Sequence, residues 1–288
     1  MRVAAISFLN PAPLLYNVEH APAASQLRER YTLDYTLPSA CAAELHAGTS
    51  DLGLVPIASL TPELAIVPGC AIASLREVRS ILLLVKNPGA LTTDEALKQV
   101  RSVAADAASR SSAAYAHILF EHFHNTRPTF HEEDATQPGG ALRMLAANDA
   151  ALLIGDPALL AREARSSIDA AVGTPLLWLD LATLWHERTG LPWVAAVWAA
   201  RPDALNGITP QQLIADLNTS REVGLAHIDE LVAEWVPRIA IPATTIRTYL
   251  THNIHYTLDN DCLRSIQLFR SLAAEINTLP PMPNLNLL

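Results

Sequence analysis

Short apolar runs alternate with amphipathic stretches through the first half of the chain. The runs Val3–Phe8 and Asp51–Pro56 predict strands, and a proline lies at or just beyond the end of each. Proline has no N–H to give to a strand ladder, so each strand must stop there. Between them, Ala40–Ala47 is predicted to be a helix that Ser39 caps and Gly48 closes. This alternation predicts an α/β fold with a mostly parallel sheet and ligand loops along one edge.

A second series of strands and helices follows the first. Ser80–Val85 is continuously apolar after its serine, as expected for a strand buried on both faces. Lys86–Gly89 then breaks the pattern, and we expect the chain to cross into a second lobe there. The predicted division is a discontinuous first lobe, 1–86 plus 200–288 with a helical C-terminal segment, and a second lobe, 87–199. The cleft between two such lobes is the expected ligand site.

Charge and composition narrow the class of protein. Half of the 288 residues are hydrophobic and 17% are charged, which is enough apolar material for a substantial core. The net charge is −9, and no lysine- or arginine-rich run is present to neutralise phosphates. We therefore expect no nucleic-acid partner. A small anionic ligand would need a local cluster of arginine, hydroxyl and backbone N–H groups.

The sequence favours a cytoplasmic protein. Cys41, Cys70 and Cys262 are odd in number and widely spaced, which fits a reducing compartment. The apolar N-terminal run is interrupted by Asn10 and two prolines and lacks a cleavage site, so it is not read as a signal peptide. No uninterrupted apolar run reaches about 18 residues, so no membrane span is predicted. We expect a monomer or a homodimer.

Asn10 lies where the first strand ends and a proline-bearing loop begins. Ligands of open α/β sheets bind beyond the carboxyl ends of the strands, which makes this amide a candidate site residue. Asparagine also caps turns by bonding to nearby backbone. The stretch alone does not decide between these roles.

The segment Asp106–Ser112 joins a predicted strand to a predicted helix, Ser112–His122. A helix start offers unpaired N–H groups and a partial positive charge, and Arg110 with the neighbouring serines would add to both. These features predict a carboxylate site, whereas the absence of glycines excludes a phosphate-binding loop. The alternative is a simple serine cap beside a solvated arginine.

Three further features have two interpretations each. Asp156 precedes Pro157 at a helix start, so it is either a cap or a proton acceptor. Trp193 follows a rigid Gly-Leu-Pro turn and either faces the cleft or packs in the core. His252 and His255 could share a helix face, but no partner completes a metal site in the sequence, so no metal is predicted.

Five segments occur in a fixed order along the chain. They are Ile6-Ser7-Phe8-Leu9-Asn10-x-x-Pro13-Leu14, Asp51-x-Gly53-Leu54-Val55-Pro56, Asp106-x-x-Ser109-Arg110-x-Ser112, Ile154-Gly155-Asp156-x-Ala158-Leu159 and Thr189-Gly190-Leu191-Pro192-x-Val194-x-Ala196-x-Trp198. Together they resemble the chorismate dehydratase family, which opens the futalosine route to menaquinone. The resemblance spans roughly residues 2 to 276. The chain departs from the commoner family opening at Phe8 and Pro11, where tyrosine and threonine or alanine are expected, but it keeps the amide at Asn10.

The resemblance implies a two-lobed type II periplasmic-binding-protein fold outside the periplasm. It also implies dehydration of the dianion chorismate to 3-[(1-carboxyvinyl)oxy]benzoate, with no cofactor. We assign Ser109, Arg110, Ser111 and Ser112 to substrate binding from the second lobe. Further candidates for substrate contacts are Ser39, Pro56, Ser80 and Trp193. Our catalytic hypothesis is that the enolpyruvyl carboxylate of the substrate takes the ring proton. Asn10 would orient this carboxylate or assist loss of the hydroxyl. Asp156 is the alternative base.

Three other functions compete with this reading. A non-catalytic small-carboxylate-binding protein of the same fold predicts an export signal, which the sequence lacks. The related dihydroxynaphthoate synthase shares the fold, but its Ser-Pro-Cys-Pro-Asn-Asp opening is missing here. A ligand-sensing domain of a transcription regulator would normally follow a basic helix-turn-helix, whereas this chain begins with a strand.

Overall fold

Two β-sheets organise the chain, and the computed structural model describes residues 1–288. The strands are β1 (Arg2–Ile6), β2 (Thr32–Thr36), β3 (Leu52–Pro56), β4 (Ala65–Ser74), β5 (Ile81–Lys86), β6 (Ser102–Asp106), β7 (Thr129–Glu133), β8 (Ala150–Ile154), β9 (Leu176–Asp180), β10 (Trp193–Ala200) and β11 (His255–Leu258). One sheet has six strands in the order β11-β4-β10-β3-β1-β2. The other has five in the order β7-β6-β8-β5-β9.

Thirteen α-helices cover the sheets. They are α1 (Ala12–Glu19), α2 (Ala24–Arg30), α3 (Pro38–Ala47), α4 (Thr93–Gln99), α5 (Ser111–Ile118), α6 (Gly140–Ala147), α7 (Gly155–Glu163), α8 (Arg165–Val172), α9 (Leu181–Thr189), α10 (Pro210–Ala226), α11 (Ile228–Trp235), α12 (Ala243–Thr248) and α13 (Asn260–Glu275). π-helical turns follow α5 (Leu119–Phe123) and α12 (Tyr249–Asn253). None of the helices is both long and apolar enough to cross a membrane.

The predicted α/β class with two lobes is confirmed, but the sheets are mixed rather than mostly parallel, with four parallel and five antiparallel strand pairs. β1 runs parallel to β2 and β3, and β6 runs parallel to β7 and β8. The antiparallel pairs involve β5, β10 and β11. Because parallel strands end at the same edge of a sheet, the residues after β1 and β3 lie together in one lobe, and those after β6 and β8 lie together in the other.

The sheet membership of two strands displaces the predicted lobe boundaries. β5 pairs with β8 and β9, so Ile81–Lys86 belongs to the second lobe rather than the first. β10 pairs with β3 and β4, so Trp193–Ala200 belongs to the first lobe rather than the second. Both strands are apolar apart from Lys86 at the end of β5. This pattern indicates that a strand is buried, but it does not indicate which sheet the strand joins.

The apolar strands explain how the lobes are held together. β5 is buried on both faces as its sequence predicts, with Leu82 to Val85 fully inaccessible. One continuous cluster of 77 buried residues includes side chains of both sheets, such as Leu54 of β3 and Leu83 of β5. The lobes therefore share this cluster, while a separate cluster of 11 buried residues, which includes Leu82 and Leu84, lies within the second lobe. Removal of this apolar surface from water is the main force that stabilises the fold.

Candidate functional site

A cleft of about 470 Å³ lies between the lobes, at the carboxyl ends of the parallel strands. The residues that line it are Ile6, Phe8, Asn10, Pro38, Pro56, Ile72, Ile81, Ala108, Ser109, Arg110, Ser111, Ser112, Ile154, Gly155, Ala195 and Ala196. The lining is mostly apolar with a few polar groups, which is typical of a small-molecule site. Arg110 is the only charged side chain among these residues.

Asn10 contributes the amide of the first-lobe wall. Its backbone carbonyl accepts a hydrogen bond from the Tyr256 hydroxyl at 2.9 Å, which fixes the loop after β1. Its side-chain Oδ1 is buried and has no protein partner. A buried polar atom without a partner is costly, so this amide is available to a ligand and does not serve as a turn cap.

The second-lobe wall is built by the turn between β6 and α5. Asp106 Oδ1 accepts the Ala108 N–H at 3.0 Å, and its carbonyl accepts the Ser109 N–H at 2.8 Å. Burial raises the pKa of Asp106 to about 6. The turn presents Ser109, whose Oγ is buried without a partner, and the exposed Arg110 at the start of α5. An anion at this place would meet a hydroxyl, a guanidinium and a helix N-terminus.

Ser111 lines the cleft, but its hydroxyl is already occupied. It donates to the carbonyl of Ala195 at 2.9 Å and accepts the Ala58 N–H at 3.3 Å. Both partners belong to the first lobe. The hydroxyl therefore ties the lobes together, and only the remaining serines of this segment have hydroxyls to offer a ligand.

Asp156 lies beside the cleft, not on its surface. α7 begins at Gly155, so Asp156 is inside the first turn and does not cap it. Its Oδ1 accepts the Leu9 N–H of the other lobe at 3.1 Å. Burial raises the pKa of this carboxyl to about 6, against the opposing effect of that hydrogen bond. Gly155 itself has φ +59° and packs against the ring of Phe8.

The structure places three predicted ligand contacts elsewhere. Ser39 is the second residue of α3, which begins at Pro38, and it lines an adjoining cleft of about 1110 Å³ that shares Ser109 and Arg110. Its prediction as a helix cap was wrong, because the proline starts the helix earlier. Ser80 lies behind the cleft wall, 1% exposed.

Trp193 is the third of these residues. It is also 1% exposed and packs in the core with its ring centroid 5.2 Å from that of Tyr115. The prediction that Trp193 contacts a ligand was therefore wrong. The Gly-Leu-Pro turn directs the ring inward, where the apolar surface of a tryptophan is most stable.

Two tyrosines that sequence reasoning missed reach the site from the C-terminal segment. Tyr256 of β11 holds the Asn10 carbonyl, and Tyr249 donates to Ser80 Oγ at 2.8 Å. Their only sequence signal is that they lie within the residues 2 to 276 that the family resemblance spans, which gives no indication of contact with Asn10.

A second polar cluster lies away from the cleft. The ligand atoms of His255, Asp259 and Cys262 are within 4.8 Å of one another, so the sequence reading that no partner accompanies His255 was wrong. Each already has a protein partner. His255 pairs with Asp259 at 2.8 Å, Asp259 accepts the Cys262 N–H at 2.8 Å, and the Cys262 thiol donates to the Thr257 carbonyl at 3.6 Å. We read the cluster as the cap of α13.

Two α/β lobes with a ligand cleft between them define the class of periplasmic-binding-protein-like folds. A crystal structure of a protein from Archaeoglobus fulgidus is similar over 96% of this chain and 98% of its own, with a TM-score of 0.68 and 14% identity. The alkanesulfonate-binding protein SsuA from Xanthomonas axonopodis pv. citri, bound to MOPS, is similar over 99% of this chain and 95% of its own, with a TM-score of 0.65 and 17% identity. At these identities, the likeness establishes the fold.

The family follows from the sequence match. The family model described as menaquinone biosynthesis matches residues 1–275, and this chain belongs to that family. The chorismate dehydratase of Thermus thermophilus is 28% identical over 228 residues, which cover 76% of each chain.

Proposed function

We propose that this protein is a lyase that dehydrates chorismate to 3-[(1-carboxyvinyl)oxy]benzoate, the first step of the futalosine route to menaquinone. The observation that carries the proposal is the arrangement of the cleft. Two buried polar atoms without partners, Asn10 Oδ1 and Ser109 Oγ, belong to residues that line opposite walls, and Arg110 is the only charge between them. The similarity to the chorismate dehydratase of Thermus thermophilus supports the choice of substrate.

Substrate binding follows from the two walls. Chorismate carries two carboxylates on an apolar ring. Arg110 and Ser109 would hold one carboxylate at the start of α5, where the helix dipole adds to their effect. Asn10 would hydrogen-bond the other carboxylate or the ring hydroxyl. The apolar lining, including Ile6, Ile72 and Ile154, would enclose the ring and strengthen these polar interactions.

The proton acceptor is the substrate itself. No carboxylate, histidine or lysine lines the cleft, and Asp156 is turned towards the Leu9 N–H. The enolpyruvyl carboxylate of chorismate would therefore take the ring proton beside its own ether oxygen. The C–H electron pair becomes a ring π bond, the neighbouring C–O bond breaks, and the hydroxyl leaves with a proton as water. The product ring is aromatic, so correct orientation of the substrate supplies much of the rate.

Three free, buried cysteines support a reducing compartment, and we propose the cytoplasm. The competing function is non-catalytic carboxylate binding, which the fold shared with sulfonate-binding proteins also favours.

Incubation of the purified protein with chorismate, followed by chromatography with mass detection, separates the two functions. A product lighter by one water, formed faster than chorismate decays alone, is expected. If chorismate raises the melting temperature of the protein but is not converted, the protein is a binding protein.

A further inference from the structure

Tyr249 lies at the boundary between the two lobes, beside the candidate site. It follows α12 and begins the π-helical turn Tyr249–Asn253, a local irregularity that is frequent at functional sites. Its side chain is 1% exposed. Burying a hydroxyl this deeply requires a partner, and the partner found is Ser80 Oγ at 2.8 Å. The residues are 169 positions apart.

The bond to Tyr249 is the only hydrogen bond that the Ser80 side chain makes within the protein. The backbone of Ser80 is fixed as well, since its carbonyl accepts the Gly155 N–H at 2.8 Å. Ile81 and Gly155, on either side of this contact, both line the cleft. Ser80 is thus held directly behind the cleft wall.

Burial raises the pKa of Tyr249, and the nearby Ser80 hydroxyl and Asn10 amide act in the opposite direction. The hydrogen bond of the Tyr249 hydroxyl is made to Ser80, directly before β5. Tyr249 contributes no atom to the cleft lining.

We propose that Tyr249 is a positioning residue, which holds Ser80 across the boundary between the lobes and thereby fixes the cleft wall at Ile81 and Gly155. The inference rests on the proposed function. Tyr249 acts through Ser80 and contributes no atom to the cleft lining, so it affects the geometry of the reacting complex more than the binding of the substrate carboxylates.

The test is the kinetics of Tyr249→Phe, which keeps the buried ring and removes only the hydroxyl. We expect kcat for chorismate dehydration to fall about tenfold or more, which corresponds to about 1.4 kcal/mol, while KM changes less than about threefold. Tyr31→Phe is the matched control, because the Tyr31 hydroxyl is also buried and bonded, to Asp216 at 2.8 Å, away from the cleft. The control should lower stability and leave kcat unchanged.

A double-mutant cycle separates positioning from a structural role. If Tyr249 acts through Ser80, Ser80→Ala should also lower kcat, and Tyr249→Phe should cost less in the Ser80→Ala background than in the wild type. The inference would be overturned if the fold-losses in kcat of the two single variants multiplied fully in the double variant. It would also be overturned if either single variant kept the kcat of the wild type. If Tyr249→Phe fails to fold, the inference is tested by the Ser80→Ala variant alone, whose kcat should be lower than that of the wild type. A wild-type protein that does not dehydrate chorismate would instead overturn the proposed function, and this inference with it.

Discussion

The backbone N–H of Leu9 donates to Asp156 Oδ1 at 3.1 Å, and this contact joins residues 147 positions apart on opposite lobes. It explains why Asp156 does not cap its own helix: its carboxylate serves the loop after β1 instead. It also places Asn10, the next residue after Leu9, opposite the start of α7. Asp156 is therefore a structural contact between the lobes that holds the candidate catalytic amide in place.

The pH dependence of stability should depend on Asp156. Burial raises its pKa to about 6 in the folded protein, above the usual 3.8. The folded state thus binds the proton more tightly, so this group lowers stability progressively as pH rises from about 4 to about 6, with a constant loss above that range. Asp156→Asn keeps an acceptor for Leu9 and removes the charge. Denaturant unfolding should show a gain of up to about 3 kcal/mol at pH 7.5 that disappears below pH 4.

The same variant tests the assignment of the proton acceptor. If the substrate carboxylate takes the proton, as proposed, Asp156→Asn should keep its kcat within several-fold of the wild type. Loss of turnover in a folded Asp156→Asn protein, together with near-normal turnover in Asn10→Ala, would reverse the roles of these two residues.

Arg110 should control substrate affinity. Arg110→Gln removes the only charge of the cleft lining, so KM for chorismate should rise about 10- to 100-fold, the value of a charge-assisted hydrogen bond. Arg165→Gln, on the exposed surface of α8, is the matched control and should leave KM unchanged. Steady-state kinetics measures both. An unchanged KM in Arg110→Gln would place the carboxylate elsewhere in the cleft.

A side chain at position 155 should lower both the stability and the turnover of the protein. A Cβ there would lie 2.7 Å from the Phe8 ring, in addition to the strain of φ +59°. Gly173 has φ +66° with nothing within 4 Å, so Gly173→Ala measures the strain alone, about 1 kcal/mol. We expect Gly155→Ala to lower the free energy of unfolding by a further 1–3 kcal/mol or so through overpacking, and to reduce turnover by separating the lobes. Equal losses in the two variants would show that the Phe8 contact contributes nothing.

Local patterns in the sequence predicted much of the site. Asn10 and the segment Ser109–Ser112 follow predicted strands, Pro56 ends one, and each of them lines the cleft. These positions could be found because strand ends and helix starts are local features, and the carboxyl edge of a parallel sheet brings them together.

The features that were missed depend on contacts between distant parts of the chain. Tyr249 and Tyr256 reach the site from a segment that carries no signal of its own, and the Trp193 ring could equally have faced the cleft or the core. The lobe assignment of β5 and β10 was wrong because an apolar strand does not reveal which sheet it joins.

The most direct test of the account compares the wild-type protein with Asn10→Ala during reaction with chorismate. Proton NMR follows the cyclohexadiene signals of the substrate and the aromatic signals of a benzoate product in one sample. The account predicts aromatic signals with the wild type, and a rate at least about tenfold lower with a folded Asn10→Ala protein. Chorismate that decays no faster than without protein, or an Asn10→Ala variant as fast as the wild type, would contradict it.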